Sequence, residues 1–193
     1  MAPFEVLSRQ IAQCLSPAGA NPHLENAIHL FGRADQELVP FPETFQCVDP
    51  LLAYEAALEA LLLREHERAS ADRLSRRVAA IFGGQPPLIR DFARRIHWLR
   101  SKAVHAVRSA ADLATQVTAG ADDAITDSAR PQLGTPAGNY SSILLNVGRG
   151  PFPGFLINVR EVVRRCIRYF LEECQNGRPR DQTLDALDCV RFP

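Results

Sequence analysis

Residues 88–117, LIRDFARRIHWLRSKAVHAVRSAADLATQV, decide the fold. Ile89, Phe92, Ile96, Leu99 and Ala103 recur at steps of three and four, which at about 100° per residue makes one apolar stripe on a helix. Pro86-Pro87 opens that helix, since a ring in the first turn costs no hydrogen bond. Arg100 lies at the edge of the stripe. His105, five residues on, points about 140° away around the same cylinder. It shares its face with Arg94, Trp98, Ser101 and Arg108, so the only Trp of the chain sits among polar residues. Either another segment covers that face, or a second subunit or an RNA does.

Working outward, the neighbouring segments also read as helices. A short helix is expected near residues 4–15. Pro22 starts another that runs to about Glu37, with Leu24, Ile28 and Phe31 on its apolar side. Residues 38–48, punctuated by two prolines, form a loop. Asp49-Pro50 then supplies a capping oxygen and a fixed φ for LLAYEAALEALLLREHER, rich in the best helix formers. Ser70 caps ADRLSRRVAAIF, which Gly83-Gly84 ends. After the long helix the composition changes: residues 118–154 are rich in Gly, Pro, Ala, Asp and Ser and have no sustained period. Gly148-Arg-Gly-Pro-Phe-Pro-Gly154 lacks the Lys-Ser/Thr and the preceding strand of a phosphate-binding loop, so it reads as a connector. A last long helix covers 155–175, stopped by Asn176-Gly177 and Pro179, and a short one follows at Asp181–Cys189. The expectation is an all-α, up-down bundle forming one domain over 1–193. Its core spans about 22–117 and 155–177, with an irregular insertion at 118–154 before the last long helix.

Composition narrows the partners. The 193 residues carry 22 basic and 22 acidic side chains, but the balance is segregated. Residues 1–63 hold 2 basic and 8 acidic groups, whereas 64–108 hold 11 basic and 4 acidic. Arg160, Arg164, Arg165 and Arg168 form a second basic cluster. Such local fields favour polyanions, and arginine suits bidentate phosphate contacts; packing of the acidic third against the basic middle is the competing explanation. No apolar run approaches the roughly 18 residues of a membrane span. The start lacks the features of a secretory signal. The five cysteines are scattered, without a C-x-x-C pair, so neither a zinc knuckle nor a disulfide framework is expected. A reduced, cytoplasmic chain without metal or other cofactor fits best. A metal-dependent enzyme using His97, His105 and carboxylates finds no H-x-x-x-H or H-E-x-x-H spacing to support it.

Arg100 and His105 carry the chemistry. A guanidinium neutralises phosphate charge through a rigid fork of donors, and an imidazole moves protons near neutral pH. Alone, the pair arises readily by chance in an Arg-rich chain. Glu59 adds to it: it sits in apolar Leu58-Glu-Ala-Leu-Leu-Leu63, where an unpaired carboxylate is costly, so a pair with Arg100 or with Arg77 is expected.

Three pieces stand in order: Ala57-Leu-Glu-Ala-Leu-Leu62, Leu74-Ser-Arg-Arg-Val-Ala79 and Trp98-Leu-Arg-Ser-Lys-Ala-Val-His105. Together they resemble the HEPN superfamily, most closely its Apea-like branch, over residues 24–110 and the last long helix. The resemblance implies a helical bundle that dimerises, with motif residues of two subunits lining one cleft, which answers the 140° divergence. It implies a metal-independent endoribonuclease, free of any cofactor, acting as a toxin or antiviral-defence effector alongside an antitoxin or effector-complex partner. His105 is then the general base or acid at the ribose 2′-OH and leaving oxygen. Arg100 stabilises the phosphorane-like transition state. Ser101 and Lys102 assist, Glu59 and Arg77 support, and Arg94, Trp98 and Arg108 contact RNA or the second subunit. The same superfamily contains non-catalytic RNA-binding and dimerisation modules, which is the alternative.

Overall fold

A computed structural model of the chain describes residues 21–37, 48–67, 71–83, 86–105 and 151–192, with the side chains of 86–88, 102, 103, 105 and 151–154 left aside. Six helices make up these residues: α1 Pro22–Glu37, α2 Val48–Leu62, α3 Ala71–Phe82, α4 Pro86–His105, α5 Pro151–Gln175 and α6 Arg180–Asp188. The expected all-α bundle is what the chain forms. The helix expected at 4–15, the loop at 38–47, Ser70, and most of the insertion lie outside the described residues.

Local chemistry sets the helix ends. Asn21 Oδ1 accepts the Leu24 N–H at 3.1 Å, so an Asn cap joins Pro22 in starting α1. Helix α2 begins at Val48, one residue before the expected cap Asp49, and stops at Leu62 instead of continuing to Arg68. Two arginines explain the stop. Arg180 donates to the carbonyls of Ala60 at 3.0 Å, Leu61 at 3.2 Å and Leu63, and Arg77 donates to Leu62 O. The orphan carbonyls of the helix end are thus taken by guanidinium groups. Gly83, at φ 63°, ends α3, a conformation glycine adopts without the Cβ penalty. Helix α5 starts at Pro151, four residues before the expected start at 155. Prolines there break nothing, because the first turn of a helix needs no N–H partner. Helix α6 is shifted by one residue from the expected Asp181–Cys189.

Helix α2 is the centre of the bundle. Leu51, Tyr54, Ala57, Leu58, Leu61 and Leu62 are all buried, so it is apolar nearly all round, as a helix enclosed by others must be. It packs on α1, α3, α4 and α5. The α4 stripe is buried as read from its period, at Ile89, Phe92, Ile96 and Leu99. The Phe92 and Phe155 rings, 5.1 Å apart and tilted, join α4 to α5, a favoured aromatic arrangement. Tyr54 Oη donates to Asp35 at 2.8 Å, and Arg160 Nη2 reaches the same carboxylate at 2.7 Å, which ties α1, α2 and α5. Among the described residues, no helix is long and apolar enough to cross a membrane.

Candidate functional site

Because α2 is enclosed, any acid on it needs partners. Glu55 is fully buried, and its partners come from α4. His97 Nδ1 lies 2.8 Å from Glu55 Oε1, and Arg100 Nε lies 3.3 Å from Oε2. His97 and Arg100 are three residues apart, so both face the same side of α4. Glu59, one turn beyond Glu55 on α2, brings a second carboxylate to the cluster; ligand atoms of Glu55, Glu59 and His97 all lie within 4.8 Å of one another.

The electrostatics follow from that crowding. Burial, then the charge of Glu59, push the Glu55 carboxyl up to about 8 against the opposing pull of Arg100, and a hydrogen bond shared with Glu59 adds to the rise. The Glu55 carboxyl therefore keeps its proton at neutral pH. Burial also lowers the His97 pKa, opposed by the Glu59 charge and reinforced by Arg100, and one hydrogen bond joins its Nδ1 to Glu55 Oε1.

The sequence placed the carboxylate partner of Arg100 one turn too far along α2. The expected Glu59–Arg100 and Glu59–Arg77 pairs do not form; Arg100 pairs with Glu55. Arg77 belongs to another part of the molecule. It is 1% exposed and donates from Nη1 to Glu67 at 2.6 Å and from Nη2 to Asp188 at 2.6 Å. Its remaining donors reach Asp188 Oδ1, Glu67 Oε1 and Leu62 O. With all five N–H groups used inside the fold, Arg77 fixes α3 to α6 and to the turn after α2, not the Arg100 site. Glu55 and His97 are the site members that the motif reading passed over. Their signal was a second acid four residues before Glu59 in the same apolar helix, and a histidine three residues before Arg100.

The other expected residues lie along α4. Arg100 is 31% exposed, and Ser101 is partly exposed. Arg94 is committed to the chain's own acids, Asp72 at 2.6 Å and Asp91 at 3.4 Å. Trp98 is 43% and Val104 47% exposed. Lys102 and His105 occupy the last turn of α4, with their side chains outside the description, and Arg108 lies outside the described residues. Because α4 is helical without interruption from Pro86 to His105, Arg100 and His105 keep their divergence of about 140°. No family model, no curated protein and no solved structure matches this chain.

Proposed function

We propose that the chain is a metal-independent endoribonuclease of the HEPN type, working as a homodimer on RNA. One observation carries this reading. Arg100, in an Arg-x-x-x-x-His motif, is anchored through Nε to the buried carboxylate of Glu55 yet remains partly open to solvent. An anchored guanidinium is pre-positioned, and its two Nη groups carry four further N–H donors for phosphate oxygens. In the reaction, His105 takes the proton of a ribose 2′-OH as that oxygen attacks the adjacent phosphorus. Arg100 stabilises the charge on the phosphorane oxygens, and the 5′ oxygen leaves with a proton returned from imidazolium. The reading extends to a cytoplasmic toxin or defence effector held by an antitoxin or an effector complex.

The test is cleavage of single-stranded RNA in EDTA by the wild type, His105→Ala and Arg100→Ala. Cutting by the wild type alone supports the reading; equal cutting by all three, or none by any, refutes it. A second reading is a non-catalytic RNA-binding or dimerisation module. Arg94, and in part Arg100, favour it, because both are paired with carboxylates of the chain itself. It predicts salt-sensitive RNA binding that survives His105→Ala without cleavage.

A further inference from the structure

We propose that Glu55, Glu59 and His97 form a binding site for one divalent transition-metal ion of the zinc class, which clamps α2 to α4. This inference does not rest on the ribonuclease reading. The donor set is the first argument. Glu55 and Glu59 stand one turn apart on α2, His97 faces them from α4, and their ligand atoms fall within 4.8 Å of one another. Two carboxylate oxygens and one imidazole nitrogen suit zinc and its neighbours. At metal–ligand distances of about 2.0–2.2 Å, tetrahedral ligand atoms stand about 3.4 Å apart. The 2.8 Å between Glu55 Oε1 and His97 Nδ1 opens slightly and the wider separations close, by movements within the reach of side-chain torsions.

The second argument is independent of the first. Glu55 Oε2 and Glu59 Oε1 are both shielded from solvent, and outside the Glu55–Glu59 pair itself neither meets a hydrogen-bond donor. Glu55 Oε2 has only the 3.3 Å ion-pair approach of Arg100 Nε. Unsatisfied buried acceptors are rare because each costs free energy comparable to a lost hydrogen bond. Charge gives the third argument. Glu55 and Glu59 converge on the single arginine Arg100, so acidic groups outnumber cationic ones in this buried place. A divalent cation removes that excess and gives Glu59 Oε1 a partner, while Arg100 stays as the outer contact that orients the Glu55 carboxylate. Metal occupancy would then fix the residue that holds Arg100.

The test uses the full chain, stripped with EDTA and dialysed, then titrated with Co²⁺ and with Zn²⁺. The expected result is one Co²⁺ per chain, ligand-field absorption without a thiolate charge-transfer band, and displacement of Co²⁺ by Zn²⁺. The missing thiolate band separates this site from the five cysteines. His97→Gln and Glu59→Gln should each weaken binding by about a hundredfold or more, given that even outer-contact changes cost 10–100-fold. Cys189→Ser should bind as the wild type does. Folded wild type that takes up no Co²⁺ overturns the proposal, as does a thiolate band or unchanged affinity in His97→Gln and Glu59→Gln. The wild-type spectrum decides the matter even where a variant fails to fold.

Discussion

Replacing Arg77 by Ala should destabilise the fold by about 3–5 kcal/mol, the range for removing one partner of a buried ion pair. The structure shows where that comes from. Leu62 O loses its guanidinium donor, and a buried carbonyl left unsatisfied costs about 1–3 kcal/mol. The Glu67 carboxylate, 14% exposed, loses its 2.6 Å contact, and a hydrogen bond to a charged group contributes about 1.5–3 kcal/mol. Arg64, at 3.1 Å, still holds Glu67, which limits the loss. Asp188, at 41% exposure, rehydrates easily and adds about 1 kcal/mol or less. For a chain of this size, each kcal/mol lowers the melting temperature by about 2–4 °C, so the drop should be on the order of 10 °C. Urea titration followed by far-ultraviolet circular dichroism at neutral pH measures it. Asp188→Asn should cost far less than Arg77→Ala. Arg77→Lys should recover less than half, because one ammonium cannot replace a fork that serves two carboxylates and a carbonyl. A loss below about 1 kcal/mol for Arg77→Ala, or equal losses for Arg77→Ala and Asp188→Asn, would refute the assignment of Arg77 to the fold.

The same network sets the acid limit of stability. Arg77 holds the Glu67 carboxyl down to about 2 and keeps Asp188 low, while hydrogen bonds from Arg160 and Tyr54 lower Asp35 against its burial. Groups with depressed folded pKa values bind fewer protons in the folded state than in the unfolded chain, so their stabilisation is complete above the ordinary carboxylate range and is lost as pH falls towards 2. Acid titration monitored by circular dichroism should show that loss, and Glu67→Gln should flatten it; an unchanged profile in Glu67→Gln would contradict the network. Trp98→Ala and Val104→Asp change side chains that are 43% and 47% exposed, so each should alter stability by less than about 1 kcal/mol while weakening the proposed dimer roughly thirtyfold. Sedimentation velocity that shows the same dimer dissociation in these variants as in the wild type would remove α4 from the interface. Gly83→Ala meets no atom within 4 Å of its new Cβ, so its cost should be only the strain of a positive φ, about 1–2 kcal/mol; a neutral result by thermal melting would contradict that conformation.

Helix positions were readable because capping and periodicity are local. Pro22, Gly83 and Asn176-Gly177 each act within a turn of themselves, and the stripe of α4 follows from its own period. The misplaced ends have non-local causes. Helix α2 stops at Leu62 because Arg77 and Arg180, distant in sequence, take its carbonyls. Arg77 looked like a site residue because nothing near it in sequence announces Asp188, 111 residues away. The expected Glu59 partner for Arg100 failed for a different reason. A helix that is apolar all round has no face, so the sequence alone does not say which of two acids one turn apart meets Arg100. Only the docking of α4 on α2 settles that.

That docking also bears on catalysis. The apolar stripe of α4 and the polar pair His97–Arg100 are both satisfied against α2, the stripe by burial and the pair by Glu55. Rotating α4 about its axis would carry Arg100 and His105 round together, expose Ile96 and Leu99 and strip a fully buried carboxylate of its partners. Each of those changes costs several kcal/mol, more than the margin on which a domain is stable allows for a routine motion. The rotation of α4 is therefore fixed, and the helix period alone keeps the two motif residues about 140° apart. A ribonuclease built on this helix has to take its histidine from a second copy of the chain. The partly exposed Arg100 and the exposed Trp98 and Val104 of the same helix are where that copy would approach.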